Sequence, residues 1–407
     1  MSDFRVAIAG GGLAGMTLAR HLHHHGLDVV VHERDADLLT RNPGYRLHIN
    51  STGTTALKSV LDPRLWELFV ATAGMPRQQI RHFDEQLNPS LIRDTSGSAG
   101  DGKATGDVPE HLVADRSTMR KILYTGLEKR MRFGARVIGY RHNPGARVTV
   151  CLSNGENDEA DVLVGANGIN SAVRAQLLPH ASVIDRGVRH IAARIPLTAA
   201  TKREIPDELY SLFTLVSDSQ HDMINFGPLE RSNPRSPLVA ERDEAFRCEV
   251  GNDFALSIFS SLTTRLPADA ELSKAHPEAL RRYVLKRIAS WHPGVVELVR
   301  MWTLDTVQPL ALRRSVPTSP WAPTNITVIG DAIHAMSPAL GIGANTALRD
   351  AQVLGAELVA AAMGGKPLLT AVSDYEHTMR GYAFDAVRAS AAMGERIIGH
   401  APLPART

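Results

Sequence analysis

The stretch Phe4–Asp35 reads FRVAIAGGGLAGMTLARHLHHHGLDVVVHERD. A short apolar run ending in glycine comes first, apolar residues at helical spacing follow, and a second run with the pattern of a strand, LDVVVHERD, closes the stretch. This order predicts a β-strand, an α-helix and a second, parallel β-strand, the unit of about thirty residues that builds parallel sheets. An α/β fold is therefore expected at this end of the chain.

The glycines between the first predicted strand and the helix have the spacing Gly10-x-Gly12-x-x-Gly15. In such a turn the first glycine permits the tight bend, the second lets the backbone approach a pyrophosphate, and the third lets the helix pack on the sheet. A phosphate there meets the N–H groups and the positive dipole of the helix start. Glu33 ends the second strand, where a carboxylate accepts hydrogen bonds from ribose hydroxyls. The pattern predicts dinucleotide binding and leaves FAD and NAD open.

Composition narrows the class of protein. The chain has 407 residues, 43% of them apolar and 22% charged, as in a globular protein of two domains or of one domain with a large insertion. The formal net charge is +2 and no basic run is interleaved with aromatics, which argues against nucleic-acid binding. The two cysteines, Cys151 and Cys248, lack paired spacing, so a reducing cytoplasm is the expected location.

Other segments exclude further classes. The first residues lack the pattern of a signal peptide, and the most apolar helical segment is too short to be a membrane span, so none is predicted. The run HLHHH suggests a metal site, but only His21 and His25 share a helix face. We therefore predict a solvated helix end and no metal.

Between about residues 185 and 300 the pattern changes to short alternating runs, such as RHIAARIPL and FALSIFSSL, which predict an antiparallel sheet. Nucleotide-domain character returns at NITVIGD, and a long helical segment closes the chain. The predicted organisation is a discontinuous nucleotide-binding domain, residues 1–75, 104–184 and 301–407. A substrate-binding domain of residues 76–103 and 185–300 is inserted into it.

The stretch Val328–Ala351, VIGDAIHAMSPALGIGANTALRDA, favours one dinucleotide. Asp331 follows a predicted strand, where a carboxylate can bind a polyol chain, and Pro338 stiffens the loop. Gly341, Gly343 and Asn345 bring the N–H groups of a helix start toward a ligand. A nicotinamide has neither a ribityl chain nor an anionic pyrimidine, whereas reduced flavin has both. The two glycine-rich stretches are therefore expected to hold the two ends of one FAD.

The chain resembles the single-component, FAD-dependent aromatic hydroxylases, the flavoprotein monooxygenases of the para-hydroxybenzoate hydroxylase type. The resemblance rests on the N-terminal glycines, on DVLVGANGINSAVR at residues 161–174 and on the stretch around Asp331, in family order. It implies a Rossmann-like FAD-binding domain of the GR2 type, an inserted, mainly antiparallel β-sheet domain and a C-terminal helix.

The resemblance also implies a set of cofactor-binding residues: Gly10, Gly12, Ala14 and Gly15 at the pyrophosphate, Glu33 at the ribose, Arg34 at the adenine, Arg116 and Asp331 at the ribityl chain, Asn167 and Gly168 in the middle motif, and Gly341, Gly343, Ala344 and Asn345 at the flavin ring. Arg46 is expected at the flavin or the substrate, with a surface arginine as the alternative.

The middle motif reads Ala166-Asn167-Gly168 where the family commonly has Ala-Asp-Gly, and this form is similar to that of the tetracycline-inactivating hydroxylases. The change removes a negative charge and leaves NADPH and NADH open as reductant; a cap of the turn is the other interpretation of Asn167.

Phe213, Met223, Asn225 and Phe226 alternate on predicted strands. With Pro338 they form a hypothetical substrate pocket over the flavin, although core packing explains the same pattern. His334 is expected to be structural. No catalytic side chain is identified, and none is required by the implied chemistry.

The implied activity is that of a monooxygenase in secondary metabolism. NAD(P)H would reduce FAD, dioxygen would form a flavin hydroperoxide, and one oxygen would pass to an aromatic or polyketide-like small molecule. A monomer or homodimer is expected. The alternatives are Baeyer–Villiger oxidation, epoxidation or reduction on the same fold, an NAD-dependent dehydrogenase, and a flavoprotein that only binds.

Overall fold

The computed structural model describes residues 4–38, 45–95, 110–143 and 147–404. The strands are β1 (Arg5–Ala9), β2 (Asp28–His32), β3 (Arg46–Ile49), β4 (Gln79–Asp84), β5 (Pro89–Asp94), β6 (Leu112–Asp115), β7 (Met131–Arg132), β8 (Val137–His142), β9 (Val148–Leu152), β10 (Asn157–Ala160), β11 (Val162–Gly165), β12 (Val183–Pro196), β13 (Phe213–Ser217), β14 (Met223–Leu229), β15 (Phe254–Leu262), β16 (Gln308–Ser315) and β17 (Ile326–Val328).

The helices are α1 (Leu13–His24), α2 (Ser51–Val60), α3 (Pro63–Thr72), α4 (Arg116–Tyr124), α5 (Ala172–Leu177), α6 (Ala199–Glu204), α7 (Pro237–Ala240), α8 (Glu244–Val250), α9 (Asp269–Leu272), α10 (Pro277–Arg287), α11 (Pro293–Arg300), α12 (Asp331–His334), α13 (Gly343–Ala362) and α14 (Leu368–Ile398). Short 3₁₀ turns lie at Asp207–Leu209, Thr263–Arg265, Leu304–Thr306 and Pro338–Leu340.

A five-stranded parallel sheet of order β17-β11-β1-β2-β7 forms the centre of the larger domain. Its inner strands are apolar on both faces because helices cover both sides, and Val6, Ile8 and Val164 are fully buried. Helices α1 and α13 pack against each other on this sheet, and α14 packs on α13. The predicted strand–helix–strand unit and the C-terminal helix are confirmed. The arrangement places the ends of β1, β11 and β17 side by side.

The second layer is a seven-stranded sheet of order β16-β12-β15-β14-β13-β4-β5, antiparallel except where β13 runs parallel to β4. One face packs on α10 and α11 through a separate apolar core that includes Phe226, Phe259 and Val284. The other face is turned in part toward the parallel-sheet domain. The predicted antiparallel sheet is thus present, and its free face is available for a site.

Two segments differ from the predicted domain bounds. Strand β16 lies beyond residue 301, yet it pairs with β12 at the edge of the seven-stranded sheet, because the chain runs back along that sheet before it enters β17. Helices α7 and α8 lie inside 185–300, yet they pack on α3 and α4, and Phe246 and Val250 join the core of the parallel-sheet domain. The predicted boundary between 103 and 104 lies outside the described residues.

Candidate functional site

The turn from β1 into α1 is packed so closely that two of its glycines have no space for a side chain. Gly10 has φ +109°, and a Cβ there would lie 2.6 Å from the Ala166 carbonyl oxygen. A Cβ on Gly15 would lie 2.0 Å from the Gly10 carbonyl oxygen. Gly12 differs, because a Cβ there would meet nothing within 4 Å and would project into free space. That free space is where the turn can accept a ligand.

The Glu33 carboxylate braces this turn from the end of β2. Its Oε2 accepts a hydrogen bond from the Gly11 N–H at 2.8 Å, and its Oε1 accepts one from the Asp35 N–H at 3.0 Å. The side chain is buried and lines the cavity in front of the turn. Each carboxylate oxygen keeps a second lone pair, so the geometry fits both a structural role and the predicted bond to a ribose.

A cavity of about 280 Å³ lies in front of the turn. The predicted residues Gly10, Gly12, Glu33, Arg34, Arg116, Asn167, Gly168 and Asp331 all line it. Four arginines (34, 116, 120 and 136) and three carboxylates (33, 35 and 331) are in its lining, an excess of one positive charge that suits an anion. Within the described residues the Asn167 Oδ1 is buried without a hydrogen-bond partner, as a group that awaits a ligand would be.

Helix α4 brings arginine to this cavity. Asp115 caps the helix by accepting from the N–H groups of Ser117 and Thr118, at 2.7 and 3.1 Å. Arg116 follows the cap and lies in the cavity lining. Arg120 lies there as well, and its guanidinium donates to the Gly11 carbonyl at 3.3 Å. Sequence reasoning missed Arg120, although the i, i+4 spacing from Arg116 was the available signal.

At the other end of the cavity the chain turns sharply after β17. Gly330 has φ +61°, and its N–H donates to the Asp350 Oδ2 at 2.7 Å. The same carboxylate bonds the His334 Nε2 at 2.5 Å and accepts from the Tyr382 hydroxyl at 2.6 Å, and both Asp350 and His334 are fully buried. Asp350 raises the pKa of His334 against the opposing effect of burial. This network fixes the short helix α12, on which Asp331 is exposed toward the cavity.

The loop before α13 forms a second helix start at the site. Gly341 has φ +64°, and α13 begins at Gly343. The buried Asn345 side chain accepts from the Asn50 N–H at 2.9 Å and donates to the His48 carbonyl at 3.0 Å. Gly341, Gly343 and Ala344 line the cavity described next. The Asn345 side chain thus joins this helix start to the segment after β3, and only its backbone is left for a ligand.

A second cavity, of about 390 Å³, lies between this helix start and the seven-stranded sheet. Its lining includes the predicted residues Ala14, Arg46, Phe213, Asn225 and Pro338, together with Leu256 and Ile258 of β15. It shares Gly12, Arg116, Ala166, Gly168 and Asp331 with the first cavity, so the two form one channel. Gly15 and Asn345 line neither cavity: Gly15 packs on the Gly10 carbonyl, and the Asn345 side chain bonds Asn50 and His48.

Met223 and Phe226 are not brought to the channel. Phe226 points to the opposite face of β14 from Asn225, since side chains alternate along a strand, and it is buried in the core against α10 and α11. Met223 shares the face of Asn225 but lies farther along, where it packs against Val188 and Ile398. Both residues therefore serve in core packing, which was the alternative interpretation of their pattern.

Arg46 and His48 are neighbours on one face of β3 and both line the second cavity. The Arg46 Nε and Nη2 donate to the carbonyls of Pro228 and Leu212 at 2.8 and 2.6 Å, and burial lowers its pKa to about 9. Arg46 is therefore a buried side chain of the site rather than a surface arginine. His48 was missed because no strand was predicted at these residues; within β3 the i, i+2 spacing puts it on the same face as Arg46.

His48 connects the cavity wall to the loop at Gly341. Its Nδ1 lies 3.2 Å from the Gly341 carbonyl and its Nε2 lies 2.8 Å from the His111 Nδ1. A carbonyl only accepts, so the Nδ1 carries the proton and the His111 ring donates to the Nε2. Burial, with smaller effects of His111 and Arg46, lowers the pKa of His48 to about 3, so the ring is neutral at ordinary pH.

Two other expectations concern metals and membranes. Among the described residues no group of three or more His, Cys, Asp or Glu side chains is placed to hold a metal ion, and the run HLHHH forms the last turn of α1 and its C-cap, His25. No helix in the described ranges is long and apolar enough to cross a membrane.

The channel fits FAD on three observations: the free space in front of Gly12, the unpartnered Asn167 oxygen, and the positive excess at the pyrophosphate end. A dinucleotide with an isoalloxazine in place of nicotinamide has the length and the polyol chain that two helix starts and an exposed Asp331 can bind.

Comparison with known proteins agrees with this geometry. The chain is 28% identical over 432 residues to the dual O-methyltransferase/FAD-dependent monooxygenase elcB of Phaeosphaeria nodorum, covering 97% of this chain and 46% of that protein. It is 26% identical over 351 residues to the aurachin C monooxygenase/isomerase of Stigmatella aurantiaca, covering 86% and 79%. The chain spans less than half the length of the fungal relative it matches.

Solved structures share the fold. A protein of Photorhabdus luminescens subsp. laumondii, provisionally named an FAD containing monooxygenase, has a TM-score of 0.82 and 29% identity, covering 98% of this chain and 99% of that one. Klebsiella pneumoniae HpxO, complexed with FAD and uric acid, has a TM-score of 0.76 at 18% identity, covering 98% and 90%. The sequence model of the FAD binding domain family matches residues 3–247 and 259–390. The chain therefore belongs to the FAD binding domain family, the family of FAD-dependent, aromatic-type hydroxylases that its motifs resemble.

Proposed function

We propose that this protein is an FAD-dependent monooxygenase that uses NADPH or NADH and dioxygen to hydroxylate an aromatic or polyketide-like small molecule. The observation that carries the proposal is the channel. Five residues line both cavities, so one extended ligand reaches from the Gly10–Gly15 turn to the space beside the seven-stranded sheet. A nicotinamide dinucleotide bound at the first turn would leave the second helix start and Asp331 without a purpose.

The residues that would hold FAD divide by its parts. The N–H groups at Gly12 and the dipole of α1 would receive the pyrophosphate, Glu33 the ribose, and Asp331 the ribityl hydroxyls. The N–H groups at Gly343 and Ala344, at the start of α13, would face the ring, where a helix N-terminus favours negative charge. When bound, the flavin supplies the electron transfer and the oxygen activation.

The chain itself contributes positioning and exclusion of water. Leu256 and Ile258 form an apolar wall of the second cavity, and the Phe213 ring lies at its edge, 5.4 Å from the Arg46 guanidinium carbon. Such walls keep water from a reactive oxygen species, which raises the yield of oxygen transfer. The same walls suit a flat, apolar substrate.

Arg46 adds a positive charge to this cavity. Its Nη1 has no hydrogen bond within the described residues, and a Cβ at Gly227 would lie 2.9 Å from it, so glycine at that position leaves room for the guanidinium. No described carboxylate forms a salt bridge with Arg46. We infer that a phenolate or carbonyl oxygen of the substrate accepts from the Nη1. The charge would favour the ionised, more electron-rich form of a phenol.

The proposal is tested with purified protein. Yellow colour with FAD absorbance, NADPH or NADH oxidation stimulated by a phenol or polycyclic polyketide, matched dioxygen uptake, and a product one oxygen heavier are expected. Arg46→Met should lower the stimulation by phenols about 10-fold, the effect of losing one hydrogen bond to a charged group, while Arg388→Met on exposed α14 should not.

Other outcomes would overturn the proposal. Flavin reduction without substrate-dependent dioxygen uptake would indicate a reductase or a protein that only binds flavin. An oxygen inserted beside a ketone, or an epoxide product, would indicate the alternative oxygenations. Protein that cannot be loaded with FAD would remove the basis of the proposal. Cytoplasmic location and a monomer or homodimer remain predictions.

A further inference from the structure

Two arginines are buried far from the channel, where the edge of the seven-stranded sheet meets the end of α14. Arg186 lies at a bulge of β12. Arg314 on β16 is paired with Ile184, the residue two positions before Arg186. Both residues are 1% exposed. Two like charges buried together are energetically costly. Burial, and to a smaller extent the charge of Arg314, lowers the pKa of Arg186 to about 10.

The Arg186 guanidinium has no hydrogen-bond partner for its Nε, Nη1 or Nη2 among the described residues. The Arg314 Nη2 donates to the carbonyls of Ala401 and Pro402 at 2.8 and 2.6 Å, while its Nε and Nη1 are unpartnered within the same described ranges. Within the part of the chain that the structure describes, five buried donor nitrogens thus lack acceptors at one place. Native proteins rarely leave such groups unsatisfied, so an acceptor is expected there.

Neighbouring acids do not fill this role. Asp185 receives the Arg189 guanidinium at 2.7 Å and the Gly187 N–H at 2.7 Å, and Asp269 bonds the same arginine. Glu395 favours the charge of Arg314 without forming a salt bridge to it in the described structure. His190 and His400 are buried beside the arginines, and burial lowers their pKa values to about 3 and about 4, so both rings are neutral at ordinary pH and supply no counter-charge.

A cleft open to solvent is lined by Arg186, whereas Arg314 does not line it. Its lining includes Arg186, Thr263, Thr264 and His400, and the carboxylates of Asp185 and Asp269 lie at it as well, both held by Arg189. Gly187, with φ +68°, forms the bulge that turns Arg186 away from the regular pairing of β12. The bulge and the cleft together bring the Arg186 side chain to the wall of the cleft, with its nitrogens just beneath the surface.

We propose that this cleft is an oxyanion site, in which a phosphate-sized anion accepts hydrogen bonds from Arg186, while the nearby charge of Arg314 adds to the attraction. The planar guanidinium matches the oxygens of phosphate, and such charge-assisted bonds are strong when buried. The phosphate is either a free ion or the terminal group of a phosphate monoester, and both present the same chemistry to the arginines.

The test uses FAD-saturated protein, so that the pyrophosphate end of the channel is filled. Unfolding midpoints are measured in inorganic phosphate, in glycerol phosphate and in sodium chloride of equal ionic strength. We expect phosphate to raise the midpoint by about 2–4 °C over chloride through binding to the folded state. Arg186→Gln should abolish this shift. Arg388→Gln, which removes one exposed charge from α14, should retain it.

The remaining outcomes also decide the proposal. A larger shift with glycerol phosphate assigns the site to a phosphate monoester, and a larger shift with inorganic phosphate assigns it to the free ion. Equal midpoints in phosphate and chloride for the wild-type protein, or an undiminished shift in Arg186→Gln, would overturn the proposal. Should Arg186→Gln not fold, Arg314→Gln and the calorimetric titration of wild-type protein with phosphate decide in the same way.

Discussion

The turn at Gly10–Gly15 packs through bare backbone, whereas the region from Gly330 to Asn345 is held by buried polar side chains. In the first, an added Cβ at Gly15 would lie 2.0 Å from a carbonyl oxygen. In the second, Asp350 alone bonds the Gly330 N–H, His334 and Tyr382. One end of the channel is thus sensitive to added atoms and the other to lost hydrogen bonds.

The difference reflects what each end has to do. A pyrophosphate needs backbone N–H groups at close range, which only glycine permits. A polyol and a ring need a carboxylate and a helix start at fixed positions, which requires a rigid support behind them. Substitutions of opposite kinds should therefore damage the two ends.

The largest effect is expected at the polar end. Asp350→Ala leaves the buried Gly330 N–H, the Tyr382 hydroxyl and the His334 ring without their acceptor, which should lower the free energy of unfolding by about 3–5 kcal/mol. Chemical denaturation of the apoprotein measures it. Tyr382→Phe removes only one of these bonds and should cost about 1 kcal/mol. Equal stability of Asp350→Ala and wild type would show that this end is not held as described.

The next effect is expected at the glycine end. Gly15→Ala forces the helix away from the Gly10 carbonyl and should destabilise the protein by about 1–3 kcal/mol, with loss of FAD. The control is Gly381→Ala on the exposed face of α14, where a Cβ meets nothing within 4 Å. It should be neutral or stabilising by up to about 1 kcal/mol, because alanine favours helix. If both variants behave alike, close packing does not define the first turn.

A smaller effect is expected from the histidine that joins the polar end to the cavity. The folded-state pKa of His48 is lowered to about 3, so between pH 6.5 and 3 the unfolded chain binds more protons at this position. Stability from this group is therefore present above pH 6.5 and is lost as the pH falls through that window. His48→Gln should flatten the slope of unfolding free energy by at most about 1.4 kcal/mol per pH unit.

His21, His190 and His400 also have lowered pKa values and act in the same direction, so the wild-type slope should exceed one proton. The matched control is His377→Gln at an exposed position of α14, which measures how far the loss of a surface histidine by itself moves the slope. Identical slopes for His48→Gln and wild type would mean that His48 is charged or solvated in the folded protein.

Local signals in the sequence predicted the first turn almost completely. Strand, glycine spacing and helix are adjacent in the chain, so Gly10, Gly12 and Glu33 could be placed without tertiary information. Asp331 and the helix start at Gly343 could be predicted for the same reason. The stretch that carries them is continuous, and its glycine pattern has a physical meaning.

The features that could not be predicted from the sequence depend on the tertiary arrangement. The face of β14 that meets the channel depends on which side α10 and α11 cover, so Asn225 and Phe226 could not be separated from alternation alone. Strand β16 belongs to the seven-stranded sheet because it pairs with β12, which is distant in the sequence. The burial of Arg186 and Arg314 likewise results from the packing of α14 and the segment after it, which no local pattern encodes.

The central claim is that the two turns bind opposite ends of one FAD, and binding of FAD and of ADP to two variants tests it most directly. Gly12→Ala adds a methyl group into free space at φ −76°, a backbone angle that any residue adopts, and Asp331→Ala removes an exposed carboxylate. Both should fold as wild type does. Gly12→Ala should weaken the binding of FAD and of ADP alike, because both ligands contain the pyrophosphate.

Asp331→Ala should weaken the binding of FAD about 10-fold, because the hydrogen bonds to one charged group are lost. It should leave the affinity for ADP unchanged. Flavin fluorescence and calorimetry on the apoproteins give the four dissociation constants. The account predicts this selective loss. If Asp331→Ala keeps full FAD affinity, or weakens ADP as much as FAD, the assignment of the second turn to the flavin end is contradicted.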